Sequence, residues 1–77
     1  MTEQVHLIKA AFLKVLAHPT RLRILEMLCW SESSVGQFAQ SLSVDQSTIS
    51  RHLSILKQGG LVSSRQEGIS IFYRIQT

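Results

Sequence analysis

The sequence predicts a mainly α-helical domain that ends in a small β-hairpin. Apolar residues recur at helical spacing before Gly60, and after Gly60 they recur at a period of about two. The chain has 77 residues, of which 44% are hydrophobic, so it is long enough for one small domain and too apolar for a disordered chain. We therefore expect residues 1–77 to form a single domain.

Charge and cysteine content limit which binding partners and which cellular compartment the chain suits. Eight Lys and Arg residues against five Asp and Glu residues suit a polyanionic partner, although many basic proteins bind no nucleic acid. The single cysteine, Cys29, cannot form an intramolecular disulfide, which suits the reducing cytoplasm. Because the N-terminus lacks a basic leader and Lys9 and Lys14 interrupt its apolar stretch, we expect neither a signal peptide nor a membrane span.

The first predicted helix, Val5–Ala17, has a wide apolar face. Its main stripe would suffice for one core contact, but further apolar residues extend the surface, namely Leu7, Ala10 and Ala11. Two alternatives follow from this pattern. The helix lies between two neighbours in its own subunit, or it also meets a partner chain.

A proline separates this helix from the next one. The residue before a proline disfavours the helical region whereas proline itself suits a first turn, so Pro19 ends one helix and opens another. The second helix is predicted from Thr20 to Cys29, and it is predicted to be the central buried helix because its apolar residues lie nearly all round. Residues 30–33 are predicted to form a loop, in which Trp30 either covers the core or faces a partner.

A capping box marks the start of the third helix. The Ser34 side chain can accept a hydrogen bond from the backbone three residues on, where Gln37 can reach back to Ser34. The third helix is therefore predicted over Val35–Leu42, and Ser43 and Val44 form the turn after it.

The fourth helix, Gln46–Gln58, has clear signals at both ends. Asp45 suits its N-cap, since a carboxylate accepts backbone hydrogen bonds and favours the positive end of a helix. Gly59 and Gly60 end it because glycine adopts the left-handed conformation without penalty. Its predicted core stripe consists of Ile49, Leu53 and Leu56.

The C-terminal part predicts a two-stranded hairpin. Leu61–Gln66 and Ile69–Ile75 flank Glu67 and Gly68, a plausible two-residue turn with glycine where φ is positive. Two short helices joined by a tight turn and followed by a hairpin make the order of a winged helix-turn-helix. In that fold the second of the two helices fits the major groove of duplex DNA.

The polar face of the Gln46–Gln58 helix indicates duplex DNA as the partner. Glutamine can read adenine, arginine can read guanine, and serine can bind a base or a phosphate. No acidic residue follows Asp45 until Glu67, so nothing on this helix repels phosphates. The face opposite the core stripe carries Gln46, Ser47, Ser50, Arg51 and Ser54.

Several segments resemble the ArsR/SmtB-like bacterial repressors. Ala17–Leu25 (AHPTRLRIL) is similar to the DPTRLRIL opening of that family, and Asp45–Leu56 (DQSTISRHLSIL) is similar to its SQSTVSRHLKVL recognition helix. In the hairpin, GLV, RQEG and FYRI are similar to the family's GLV, RREG and YYRL. These segments occur in the same order and at the same spacing, and the resemblance covers residues 11–75.

The resemblance implies a homodimeric repressor that is either constitutive or switched by a ligand. Two-fold symmetry would then demand a near-palindromic operator. The resemblance also implies DNA contacts from the recognition helix and from the wing residue Arg65, and His52 either contacts a phosphate or lies at the edge of the core. The expected contact residues are Gln46, Ser47, Thr48, Ser50, Arg51, His52 and Arg65.

The chain departs from the metal-sensing members of that family. Ser34-Val35-Gly36 stands where arsenic sensors have Cys-Val-Cys, and neither serine nor glycine replaces a soft thiolate ligand. The sequence ends at Thr77 without the C-terminal helix that carries the ligands of zinc and nickel sensors and much of the dimer interface. Either the sequence is truncated or the N-terminal helix does more of the pairing. We expect no metal site, no cofactor and no small-molecule effector.

The remaining candidate ligands do not have the spacing of a metal site. Cys29 is expected to be a buried structural thiol, although a dimer could bring two copies together in a thiol- or metal-responsive repressor. His6 is expected to be solvated, and His18 to cap a helix or to pack on the surface.

Two other classes of function fit the sequence less well. An enzyme is not expected, because the chain lacks a glycine-rich phosphate loop, an HExxH or GxSxG motif and paired carboxylates. A winged-helix protein–protein interaction module is the main alternative, since fold alone does not settle function. Such a module would more often expose an apolar groove where this chain presents a polar, acid-free face with Arg51 and Arg65.

Added metals are expected to leave operator binding nearly unchanged. Zinc, nickel, arsenite and cadmium should each change the free energy of binding by less than about 0.5 kcal/mol, against the roughly 1–3 kcal/mol typical of allosteric coupling. Cys29→Ser should leave DNA binding intact. Gel-shift titrations with each metal check this expectation. Release of the duplex by a stoichiometric metal, abolished by Cys29→Ser, would contradict it.

Overall fold

A computed structural model of the chain describes residues 13–76. Residues 13–16 are helical and fall within the predicted first helix, whereas Ala17, its predicted last residue, is not helical. Residues 5–12 of the predicted helix, which include His6, Leu7, Ala10 and Ala11, lie outside the described residues. No helix within residues 13–76 is long and apolar enough to cross a membrane. The elements that follow are α1 (Pro19–Leu28), β1 (Ser33–Ser34), α2 (Val35–Leu42), α3 (Gln46–Gln58), β2 (Val62–Glu67) and β3 (Ser70–Ile75).

Side chains cap the first two of these helices. His18 is the N-cap of α1, and its Nδ1 accepts a hydrogen bond from the Thr20 backbone N–H at 3.2 Å. The capping box of α2 is confirmed, because the Gln37 N–H donates to Ser34 Oγ at 3.3 Å and the Ser34 N–H donates to Gln37 Oε1 at 2.8 Å. Backbone donors that a helix leaves without partners are satisfied in this way.

The turn between α2 and α3 is left-handed at Ser43. Its φ is 56°, a conformation that costs a side-chain-bearing residue free energy, and the N–H of Val44 closes the turn onto the Ala39 carbonyl at 3.1 Å. The predicted turn at Ser43 and Val44 is therefore confirmed, and it delivers the chain to the start of α3 within three residues of the end of α2.

A short strand, β1, completes an antiparallel sheet of strand order β1-β3-β2. Ser33 pairs with Tyr73 and Ser34 pairs with Phe72. The loop predicted for residues 30–33 is therefore wrong for its last residue, Ser33. Two serines carry no strand pattern, so only the pairing with β3 identifies them as a strand.

The hairpin turn lies one residue later than predicted. Glu67 pairs with Ser70, which makes Gly68 and Ile69 the two turn residues instead of Glu67 and Gly68. The φ of Gly68 is +62° and that of Ile69 is not positive, the pattern of a type II′ turn with glycine first. The type of turn fixes the register of the wing, so Arg65 faces Phe72 across the ladder.

The core is built from one stripe of each helix and the base of the wing. The inward residues of α1 are Ile24 and Leu28, which pack towards α3 and β3. The prediction that this is the central buried helix was wrong for one side of it, because Leu22 is 45% exposed and Cys29 is exposed. Neighbours that pack on one side of a helix bury only one stripe. The buried apolar residues are Ile24, Leu28, Phe38, Leu42, Ile49, Leu53, Leu56 and Val62.

One polar cluster links α3 to the N-terminal side of the fold. The Arg21 side chain donates from Nε to His52 Nδ1 at 3.2 Å and from Nη1 to the Val15 carbonyl at 3.0 Å. The rings of His18 and His52 lie 4.3 Å apart between centroids. His52 must be unprotonated at Nδ1 to accept from Arg21, so the cluster requires a neutral imidazole. Burial lowers the pKa of His52, and the nearby charges of His18, Arg21 and Arg51 lower it further.

Stability should therefore fall on the acid side of neutrality. The unfolded chain takes up a proton at His52 near its ordinary pKa of 6.5, whereas the folded chain resists it until a lower pH. The contribution of His52 to stability is thus full above pH 6.5 and decreases as the pH falls towards the lowered pKa.

Urea unfolding followed by far-ultraviolet circular dichroism between about pH 5 and 8 measures this effect. The comparison is with His52→Gln, which keeps an oxygen acceptor for Arg21 and does not titrate. The variant should lose less of its free energy of unfolding than the wild type on acidification. Parallel pH profiles for the two proteins would contradict the interpretation.

Candidate nucleic-acid interface

Helix α3 presents a polar face because its opposite face is buried in the core. Ile49, Leu53 and Leu56 have no exposed surface, which fixes the rotation of the helix about its axis. The bounds predicted for this helix and its core stripe are confirmed. The outward positions are all exposed, as predicted: Gln46, Ser47, Ser50, Arg51 and Ser54.

Asp45 caps α3 as predicted and also engages two of the expected contact residues. Its carboxylate accepts the backbone N–H of Thr48 at 3.0 Å, the hydroxyl of Thr48 at 2.8 Å and the hydroxyl of Ser47. These hydrogen bonds lower the pKa of Asp45 to about 2. The bond from Ser47 has the largest effect, followed by the bonds from Thr48. The hydroxyl groups of Ser47 and Thr48 therefore donate their protons to Asp45. Towards a ligand they can act only as hydrogen-bond acceptors, through their oxygen atoms.

Three other expected contact residues keep their side chains available. Gln46, Ser50 and Arg51 are exposed, and none forms a side-chain hydrogen bond within residues 13–76. Gln46 also lines an open cleft of about 350 Å³ between the start of the helices and the tip of the wing. The other lining residues of this cleft are Ser34, Val35, Gly36, Ile69, Ser70 and Ile71.

His52 does not lie on the outward face. Only 5% of its surface is exposed, and its ring contacts His18 and accepts a hydrogen bond from Arg21 on the inward side of α3. The structure thus favours the alternative of a histidine at the edge of the core, and the expectation of a phosphate contact is corrected. His52 comes three residues after Ile49, and because a helix turns about 100° per residue, both fall on nearly the same inward face.

Arg65 lies on the wing, where it is paired with carboxylates. Its guanidinium donates from Nε and Nη2 to the two carboxylate oxygens of Glu32, each at 3.1 Å, and from Nη1 to Glu67. It also stacks over the Phe72 ring, 5.1 Å from the ring centroid. These carboxylates raise the pKa of Arg65, and Arg65 in turn lowers the pKa of Glu32. Glu32 was not among the predicted residues of the interface, since it lies 33 positions from Arg65 in the sequence.

Two further cations lie next to the interface and were not among the expected contacts. Lys57 Nζ donates to Ser64 Oγ at 2.7 Å, which ties the last turn of α3 to β2. Arg74 Nε donates to Ser63 Oγ at 3.3 Å across the hairpin. Both bind neutral hydroxyls, so their charges remain uncompensated by these partners. The sequence indicated only one of them, because Lys57 is a basic residue in the last turn of the predicted recognition helix.

His18, Cys29 and Trp30 lie outside the polar face of α3. His18 caps α1, as one of the two expectations for it stated. Cys29 is exposed, so the prediction of a buried thiol was wrong, and Trp30 is 90% exposed and does not cover the core. Within residues 13–76 no three side chains of His, Cys, Asp or Glu come together in a group that could hold a metal ion.

Comparisons with known proteins place this geometry in a family. Residues 18–64 match the family model described as bacterial regulatory protein, arsR family. An uncharacterized HTH-type transcriptional regulator of Mycobacterium tuberculosis is 39% identical over 75 residues, which cover 96% of this chain and 66% of that protein. The biofilm growth-associated repressor of Agrobacterium fabrum is 42% identical over 66 residues, which cover 86% of this chain and 56% of that protein. The chain thus spans about two thirds or less of the length of these relatives.

Solved structures agree with the family match. Reduced HlyU from Vibrio cholerae superposes with a TM-score of 0.92 at 37% identity, covering 99% of this chain and 80% of that one. The homodimeric winged helix-turn-helix DNA-binding domain Mb0332 of Mycobacterium bovis superposes with a TM-score of 0.89 at 36% identity, covering 99% and 70%. The fold is the predicted winged helix-turn-helix, and the chain belongs to the arsR family of bacterial regulatory proteins.

Proposed function

We propose that this protein is a sequence-specific DNA-binding transcriptional regulator that reads the major groove with α3. The observation that carries the proposal is the outward face of α3, on which Gln46, Ser50 and Arg51 are exposed while the opposite face is fully buried. An α-helix fits the major groove, where glutamine can pair with adenine and arginine with guanine. The polar, acid-free character of that face argues against a protein–protein interaction module.

The wing (residues 61–75) supplies the contacts to the DNA backbone. Its tip stands across an open cleft from the first residue of α3, so the wing tip and the start of the helix flank one opening on the surface. Lys57 and Arg74, held by serines of β2, lie along the base of the wing as phosphate ligands. Ser47 and Thr48 present acceptor oxygens and suit base amino groups or water better than phosphates.

Repression by a dimer is the mode of action that the relatives favour. The relatives include proteins named as repressors in Agrobacterium fabrum and Bacillus subtilis, and one named a transcriptional activator in Vibrio cholerae. The Mycobacterium bovis domain is described as homodimeric. We extend both properties to this chain. A two-fold dimer places its recognition helices about 34 Å apart, one turn of DNA, and demands a near-palindromic operator. A regulator of this kind acts in the cytoplasm and needs no catalytic residues.

Specific binding that weakens steeply with salt is the first expected result. Cations that neutralise phosphates release counterions, so the logarithm of the affinity should fall linearly with the logarithm of the salt concentration. Selection from random duplexes, followed by titration of the selected site between about 50 and 200 mM salt, measures this. The selected sites should be near-palindromic. Equal affinity for every duplex, or a flat salt response, would sink the proposal.

Arg51→Ala should weaken binding and relax the preference at one base position. Loss of a bidentate contact to guanine costs about 1–3 kcal/mol of binding free energy. Arg23→Ala is the matched control, since Arg23 is exposed on α1 and its loss removes the same charge from a different face. The measurement is the affinity of each variant for all single-base substitutions of the selected site. If the two variants lose affinity equally at every site, Arg51 does not read a base.

A further inference from the structure

The wing carries a side-chain cluster that the proposed function does not use. Its members are Arg65, Glu32, Glu67 and Phe72, and we call it the wing clamp. We propose that Glu32 withholds Arg65 from DNA phosphates, so that the wing binds duplex DNA with one cation fewer than its sequence suggests. This inference rests on the proposed function and concerns the same interface.

The sheet order brings Arg65 and Glu32 together across a whole strand. Glu32 precedes β1 and Arg65 belongs to β2, while β3 lies between those two strands. Arg65 and Phe72 are directly paired in the ladder, so the arginine side chain passes over the Phe72 ring to reach Glu32. The two parallel hydrogen bonds at 3.1 Å have the fork geometry that gives arginine–carboxylate pairs their specificity.

The donors of Arg65 are mostly occupied by this arrangement. A guanidinium has five N–H donors, and Arg65 uses Nε, Nη2 and Nη1 for the two carboxylates. Glu32 fills the fork of Nε and Nη2, and Glu67 occupies Nη1, which belongs to the second fork of Nη1 and Nη2. To bind Arg65 through two hydrogen bonds, a phosphate therefore has to displace one of these carboxylates or bind directly beside both.

The charges of the clamp oppose such a displacement. Two carboxylates surround one guanidinium, so the four side chains of the clamp carry a net negative charge at neutral pH, and the charge of the neighbouring Arg74 also acts on Glu32. Their mutual contacts raise the pKa of Arg65 and lower that of Glu32, and the charges persist through the physiological range. The side chains are partly exposed, at 46% for Arg65 and 36% for Glu32, so a duplex approaching the wing meets this negative charge directly.

The clamp sets Arg65 apart from the other two cations of the interface. Lys57 and Arg74 each donate to a serine hydroxyl, which a phosphate can displace without leaving a carboxylate behind. The charge of Arg74 also acts on Glu32, but within residues 13–76 Arg74 donates no hydrogen bond to that carboxylate. Glu32 thus lowers the affinity for every duplex by the same factor. The base contacts made by α3 then contribute a larger share of the binding free energy. Protein bound to non-specific sites is the main competitor for an operator, so a weaker backbone contact favours release from the wrong sites.

The decisive variant is Glu32→Gln, which keeps the shape of the side chain and removes its charge. Its matched control is Glu26→Gln, an exposed residue of α1 that forms no ion pair within residues 13–76, so both variants gain the same net charge. Glu32→Gln should bind the selected duplex and a random duplex about three- to tenfold more tightly than the control does. Its salt slope should be steeper by roughly 0.9, the value for one added phosphate contact.

The double variant Glu32→Gln with Arg65→Ala assigns the gain to Arg65, because it has the net charge of the wild type and should return the affinity and the salt slope to those of the wild type. Retention on immobilised heparin, a polyanion without base sequence, gives a readout that does not depend on duplex recognition. Glu32→Gln should elute at higher salt than Glu26→Gln.

The possible outcomes separate the two proposals. Equal behaviour of Glu32→Gln and Glu26→Gln on both heparin and duplex overturns the clamp, and so does a gain that survives loss of Arg65. If no variant prefers any duplex but Glu32→Gln is retained longer on heparin, the proposed function fails and the clamp stands as a control on polyanion binding. Tighter duplex binding that requires Arg65 supports both.

Discussion

The burial of one face of α3 is the constraint on which the rest of this structure depends. Ile49, Leu53 and Leu56 are fully buried, and each contributes about 1.5–3 kcal/mol of hydrophobic stabilisation. Because helical geometry is rigid, fixing this stripe also fixes the direction in which every other side chain of α3 points. The polar face is therefore a consequence of the core, and it does not depend on a bound partner.

Polar contacts refine the position that the core determines. Arg21 joins α3 to the preceding helical segment through His52 and the Val15 carbonyl, and Lys57 joins the other end of α3 to β2. Asp45 fixes the first turn. The helix is thus held near its start, at its middle and near its end, while the outward Gln46, Ser50 and Arg51 form no side-chain hydrogen bond within residues 13–76.

Most predictions that rested on a local signal were correct, and the exception is the hairpin turn, which lies one residue later than predicted. The capping box at Ser34, the Asp45 cap and both ends of α3 depend on residues within four positions of one another, and all were predicted. The contacts that were missed link distant positions: 31 residues separate Arg21 from His52, and 33 separate Glu32 from Arg65. Periodicity describes the faces of one element and not which elements meet, which is also why the exposure of Cys29 was not foreseen.

The exposed indole at the end of α1 has a practical consequence for anyone who studies this chain. Trp30 is its only tryptophan, and 90% of its surface is in contact with solvent in the native fold. Its emission will therefore already be that of a hydrated indole, and it will change little when the chain denatures. The same property makes it a sensitive intrinsic fluorophore for any molecule that covers this end of α1, since only a bound neighbour would shift its spectrum to the blue.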